Sequence, residues 1–358
     1  MGLNMDIEKQ LIDAIHEESK KIGRNVSLME VCGTHTMSIY RHGIKSLLPA
    51  YIRLISGPGC PVCVTPSQYI DQAVLLSRDK DIIICTFGDM VRVPGEKSSL
   101  EMARIEGGDI RIVYSPLDCI RIATENPNKK VVFLGVGFET TAPVIGLTIK
   151  KAFEMRIENF FVLSGIKRLF PVLTMLFSSE SIKIDGLICP GHISTITGEE
   201  PYRFLPEQYK VPCVITGFEA SEILKGIYLL IRQIAQGEAK VENAYKSAGT
   251  VDGNKKAIGL INEIFEPTDS SWRGFGIVRE SGLKLNEKYR TFDAKAFFGL
   301  EDPIWAGDGG CNCGDVIKGL KEPEACPLFR KVCTPRTPKG ACMVSSEGSC
   351  AARYKYGS

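Results

Sequence analysis

An excess of charge of either sign is the first thing this chain lacks. Its 44 basic and 42 acidic side chains leave a formal net charge of +2, so no cationic field gathers nucleic acid or anionic lipid. It also lacks long apolar runs. No window approaches the roughly 20 apolar residues that a bilayer-spanning helix needs. Residues 1–22 are charged and helical in pattern (Ile7, Leu11, Ile12, Ile15), without the apolar stretch of a secretory signal. The expected location is therefore cytoplasmic. No Gly-x4-Gly-Lys-Ser/Thr motif occurs, which leaves out a P-loop nucleotide site. Gly135-Val-Gly137-Phe-Glu-Thr140 begins like a dinucleotide fingerprint, but Thr140 stands where the third glycine belongs. No acidic residue ends the next apolar run, residues 160–164, so a nicotinamide enzyme is disfavoured.

What the chain does have is cysteine. Six of its thirteen fall after residue 310, as Cys311, Cys313, Cys326, Cys333, Cys342 and Cys350. In a reducing compartment, clustered thiols bind metal or cycle in redox chemistry rather than persist as structural disulfides. The spacing is neither the paired CxxC of a zinc ribbon nor the compact run of a bacterial ferredoxin. Four thiolates from dispersed loops can still enclose a [4Fe–4S] cube. A structural zinc site and unliganded buried thiols stay open beside it, and six cysteines leave two over for a redox dithiol.

Ahead of the tail, apolar runs without polar alternation recur at residues 26–31, 52–56, 81–86, 110–114, 131–135, 160–164, 186–189 and 211–216. Helical patterns lie between several of them, at 67–77, 116–125, 141–155 and 220–236. That rhythm predicts buried parallel sheets of the doubly wound α/β class. The expected division is a first α/β domain over 1–125, a second over 126–265, and an irregular C-terminal domain over 266–358.

Unusual loops follow the predicted strands, where open parallel sheets bind ligands. Cys32-Gly-Thr-His-Thr36 puts Cys32 at a helix start, where backbone N–H groups favour thiolate, with His35 as a candidate proton acceptor or a supporting group behind the thiol. Gly57-Pro-Gly-Cys60-Pro-Val-Cys63 has the spacing of a thioredoxin-like dithiol, and it could equally hold a soft metal. Phe87-Gly-Asp-Met-Val-Arg-Val-Pro-Gly95 offers Asp89 and Arg92 as acid, base or anion partners, or as a loop ion pair. Gly137-Phe-Glu-Thr-Thr-Ala-Pro143 offers Glu139. In Cys189-Pro-Gly-His192, a structural histidine is the favoured reading for His192.

These segments together resemble the HypD family of [NiFe]-hydrogenase maturation proteins. Pro190-Gly-His-Ile-Ser194, Pro212-Cys-Val-Ile-Thr-Gly-Phe-Glu219 and Gly340-Ala-Cys-Met-Val-Ser-Ser-Glu-Gly-Ser-Cys350 extend the match from near residue 30 to the C-terminus. The resemblance implies two Rossmann-like parallel-sheet domains and a small C-terminal iron–sulfur domain with a [4Fe–4S] cluster. It further implies a scaffold on which an Fe(CN)2CO moiety is built, with the small chaperone HypC docked and HypE delivering cyanide from a thiocyanate. On that footing Cys32 is the expected iron ligand, with His35 orienting it or accepting its proton. Cys60 and Cys63 are the expected dithiol, and Asp89 and Glu139 the accompanying carboxylates. The favoured cluster ligands are Cys311, Cys326, Cys333 and Cys350, with Cys313 and Cys342 left as the spare pair; either Cys311 or Cys313 could fill the first position. The rival expectation is a cluster-containing thiol–disulfide reductase similar to ferredoxin:thioredoxin reductase.

Overall fold

Continuous apolar runs of four to eight residues cannot leave one face in water, so they stack as parallel strands covered on both sides. The structure, a computed structural model, describes residues 2–357 except 180–182, 246–249, 306 and 308. Two parallel sheets form. One is five-stranded, in the order β2-β1-β7-β8-β9, from β1 (Val26–Glu30), β2 (Ile52–Ser56), β7 (Gly186–Pro190), β8 (Cys213–Thr216) and β9 (Val241–Asn243). The other is four-stranded, in the order β4-β3-β5-β6, from β3 (Ile82–Thr86), β4 (Asp109–Ile112), β5 (Lys130–Gly137) and β6 (Phe160–Ile166). Every residue of β3 and β7 is buried, as strands covered on both faces require.

The sheets partition the chain differently from a linear split at residue 125. The backbone lays down β1 and β2, builds the whole four-stranded sheet, then returns so that β7 pairs with β1, Leu28 opposite Gly186. Both sheets reverse their strand order once, between β1 and β7 and between β3 and β5. Such switch points open crevices beyond the carboxyl ends of the strands. The loops leaving these four strands carry Cys32, His192, Asp89 and Glu139.

Helices cover the faces. Ala220–Gln236 is set by a capping box of Glu219 and Glu222 and stopped by Gly237 in the left-handed region (φ 67). It packs against the N-terminal helix Gly2–Lys20. The segment expected to open the irregular C-terminal domain instead forms an antiparallel hairpin, β10 (Phe265–Trp272) and β11 (Gly276–Leu285). Its Trp272 is fully buried, and β11 packs on β6 and on the helix Leu169–Phe177. Short helical turns joined by loops make up the cysteine-rich tail. Among the described residues, no helix is long and apolar enough to cross a membrane.

Candidate functional site

Cys32 leaves β1 and takes the extended N-cap conformation of the helix Gly33–Arg41 (φ −149, ψ 123). N–H groups of His35 and Thr34 face its sulfur, as a helix start dictates. The expected thiolate nevertheless does not follow. Burial, reinforced by the carboxyls of Glu347 and Glu30, pushes the Cys32 thiol up to about 12. Two amides and a short helix do not offset a low dielectric and two acids. A bound cation would reverse that balance, because a coordinated thiol is deprotonated outright. Glu30 lies behind it, 2% exposed, accepting hydrogen bonds from Cys32 N (3.0 Å) and from the Thr36 hydroxyl. Burial raises its carboxyl to about 7.

His35 is buried on the next turn and pairs with the end of β8. Its Nε2 donates to the Gly217 carbonyl at 2.8 Å. A carbonyl can only accept, so Nε2 carries the proton and Nδ1 presents its lone pair. Among the described residues Nδ1 has no hydrogen-bond partner. Burial lowers the imidazole to about 4, so it is neutral at physiological pH and available as an acceptor. The ring of Phe218 lies between the two histidines, 4.7 Å from His35 and stacked 3.9 Å from His192. His192 is exposed. The structure therefore moves it from the expected structural role to the open side of this cluster.

The second cysteine loop is strapped to the first. Gly33 N donates to the Gly59 carbonyl (3.1 Å), and Gly57 N to the Glu30 carbonyl (2.7 Å). A Cβ on Gly59 would lie 2.1 Å from Cys32 N, so only glycine permits this approach. Cys60 and Cys63 form a disulfide across one turn, Pro61–Val64, with Cα atoms 5.2 Å apart. That turn packs against tail turns Cys313–Ile317 and Ala341–Val344, while the tail helix Ser349–Tyr356 packs on Gly33–Arg41. Thr34 donates to Glu347 (2.8 Å), closing the tail over the Cys32 loop.

The carboxylates separate. Asp89 is exposed on the turn Gly88–Met90 and acts on Glu347, whose carboxyl is raised first by burial and also by Asp89. Arg92 donates to the Pro335 carbonyl at 2.8 Å, another tie to the tail. Glu139 is placed otherwise: it is buried, and its Oε1 accepts from Leu169 N (2.8 Å), capping the helix Leu169–Phe177. Burial raises it to about 7, and its Oε2 has no partner among the described residues.

In the tail, all six cysteines converge on one hollow of about 10 Å³, closed by Phe329, Met343 and Gly340. Burial, then the thiols of Cys313, Cys311, Cys333 and Cys326, hold the Cys350 thiol well above its ordinary value. A Cβ on Gly340 would stand 2.9 Å from the Cys311 sulfur. Among the described residues, no three His, Cys, Asp or Glu side chains stand as ligands of a single metal ion. A sulfur-only donor set around an apolar hollow fits a cluster in its chemistry. The hollow itself holds about one water, so the loops must part to admit a cluster. The sulfurs of Cys313 and Cys342 lie 2.7 Å apart, so the expected spare pair is in contact.

Sequence reasoning missed Glu30, Phe218 and Glu347. Phe218 and Glu347 meet the Cys32 loop through His35 and Thr34, partners far away along the chain. For Glu30, a charged residue inside a largely apolar run was the available signal.

The HypD family model, described as the hydrogenase formation hypA family, matches residues 6–357. The chain is 44% identical over 337 residues to hydrogenase maturation factor HypD2 of Bradyrhizobium diazoefficiens, covering 92% of this chain and 89% of that one. It is 44% identical over 342 residues to hydrogenase maturation factor HypD of Rhizobium leguminosarum bv. viciae (93% and 89%). With hydrogenase maturation factor HypD of Escherichia coli it shares 41% over 352 residues (97% and 94%).

Proposed function

The chain belongs to the HypD family of hydrogenase maturation factors, and from that we infer that it serves as the scaffold on which an Fe(CN)2CO moiety is assembled. In this reading Cys32 is the protein ligand to the iron. Iron carrying cyanide and carbon monoxide is low-spin and soft, so a thiolate suits it. The neutral His35, with its Nδ1 lone pair, takes the thiol proton when the iron binds. The chaperone HypC docks to share the iron, and HypE presents cyanide as a thiocyanate.

Release of cyanide from R–S–CN consumes two electrons and one proton and yields R–SH and CN⁻. The Cys60–Cys63 dithiol supplies the pair of electrons and closes to its disulfide, releasing two protons. A [4Fe–4S] cluster held by Cys311, Cys326, Cys333 and Cys350 would supply electrons one at a time when bound. Cys313 and Cys342, which line that hollow on the two tail turns packed against the Cys60–Cys63 turn, would serve as a second thiol pair.

One observation carries this reading. The Cys60–Cys63 turn is hydrogen-bonded through Gly59 to the Cys32 loop and packs against the tail turns bearing Cys313 and Cys342. The test is infrared spectroscopy of the anaerobic complex with HypC, wild type against Cys32→Ala. CN and CO stretching bands should appear in wild type and vanish in the variant. Bands that persist in Cys32→Ala sink the ligand assignment. A cluster without such bands in wild type favours the thiol–disulfide reductase instead.

A further inference from the structure

Nothing in the proposed function uses Lys167, the residue that follows β6. It lies at the carboxyl end of a parallel strand, is 3% exposed, and lines a cavity of about 690 Å³. The cavity runs between the end of β6, the β10–β11 hairpin and residues 299–304, and it reaches Thr65 and Pro66 just beyond Cys63. That volume suits a small-molecule site. Lys167 Nζ donates to Ser270 Oγ (2.5 Å) and to the Ser271 carbonyl (2.8 Å), 5.9 Å from the centre of the Trp272 ring.

A buried ammonium needs a carboxylate beside it, and among the described residues none pairs with Lys167. Burial lowers its amine to about 7; Asp302 pulls the other way but is itself paired with Lys295. A neutral amine has two N–H donors and one lone pair. Ser270 and Ser271 take both donors, which leaves the lone pair for the cavity. The surrounding charges favour no anion. Glu266 is paired with Lys284, and Glu287 with Arg290. Asp269 and Asp293 are carboxylates that accept backbone N–H bonds from Glu280 and Lys295. Five carboxylates therefore face three cations besides Lys167.

We propose that this cavity is a second ligand site, in which Lys167 captures a small uncharged aldehyde or ketone as an imine. The nitrogen lone pair forms the new C=N bond, and the carbonyl oxygen leaves as water with both amine protons. No oxidant or reductant takes part. Buried lysines that lose their charge are the ones suited to such chemistry.

Glyceraldehyde serves as the probe, with cyanoborohydride to trap the imine on the full-length wild-type protein under anaerobic conditions. Peptide mapping then gives the label on Lys167 relative to that on the exposed Lys255. Taking the ratio within one sample removes the reductant's own pH dependence. An ordinary lysine is largely charged below about pH 10. The ratio should therefore exceed about ten at pH 7 and fall towards one by pH 10. Glyoxylate, an anionic aldehyde, should label Lys167 more weakly relative to Lys255 than glyceraldehyde does. An unlabelled Lys167 beside a labelled Lys255, or a ratio flat with pH, overturns the proposal. A preference for glyoxylate overturns the uncharged class of ligand. Because the readout is a covalent adduct, it stands or falls independently of iron, cyanide and HypC.

Discussion

At the scale of single residues, Gly59 ties the two front cysteine loops together, and its requirement can be tested. A methyl group there would meet the Cys32 backbone at 2.1 Å, and backbone cannot swing aside. Gly59→Ala should lower stability by about 2–4 kcal/mol. Gly259 is the contrast: it lies within the helix Lys255–Ile264 with open space around it. Gly259→Ala should gain about 0.5–1 kcal/mol by helix propensity. Denaturant midpoints for both variants decide the matter, and equal effects would remove the close-approach argument. Glu139 gives a pH-dependent counterpart. Its folded value, about 7, lies above the ordinary 4.5. Between those values the folded chain keeps a proton that the unfolded chain has released, so stability falls as pH rises through the window. Above pH 7 the full cost, of order 3 kcal/mol, is present. Glu139→Gln keeps an acceptor for Leu169 N and removes the charge. Its stability relative to wild type should therefore rise between pH 5 and pH 8, and a difference unchanged between those two pH values would refute the assignment. The cysteine loops were legible in the sequence because their spacing and flanking glycines are local. The charge state of Cys32 was not, since it is set first by burial in the tertiary fold and then by Glu347, which reaches it from the far end of the chain.

At the scale of elements, the tail turns Cys313–Ile317 and Ala341–Val344 bring two sulfurs within 2.7 Å, both buried. Mild oxidation of the metal-free protein should close a Cys313–Cys342 disulfide ahead of any pairing with Cys326, Cys333 or Cys350, because the two sulfurs are already in contact. Alkylation and peptide mapping should find that bridge together with Cys60–Cys63. Scrambled pairing among Cys311, Cys326 and Cys333 would show that the contact does not persist in solution. Strands and helices were legible wherever an apolar run had one meaning. The helix Ala220–Gln236 coincides with the stretch predicted from periodicity. The β10–β11 hairpin was not legible. Glu266, Pro267 and Asp269 interrupt its alternation, and a register shift between Thr268 and Ser270 breaks its period of two. That same shift lies beside Ser270 and Ser271, the two partners of Lys167. The irregularity that hid the hairpin thus sits at the proposed cavity.

At the scale of the whole molecule, the order of strands along the chain is not the order in which they pair. All-buried parallel strands carry the same apolar signature whichever sheet they join, so their partners cannot be told from their own residues. The class of fold was therefore legible and its partition was not. This has a consequence for dissection. A fragment of residues 1–125 holds β1 and β2 from one sheet and β3 and β4 from the other. It lacks β7, which pairs with β1, and β5, which pairs with β3. Each central strand would then present an unpaired backbone edge and a bare apolar face. The fragment would also lose the helix Ala220–Gln236, against which Gly2–Lys20 packs. The fragment alone should show no cooperative thermal transition by circular dichroism and should aggregate through its open edges. A cooperative transition with native-like amide dispersion would mean that residues 1–125 are self-sufficient. The interleaved pairing of the two sheets would then not be what holds the Cys32 and Cys60–Cys63 loops in register.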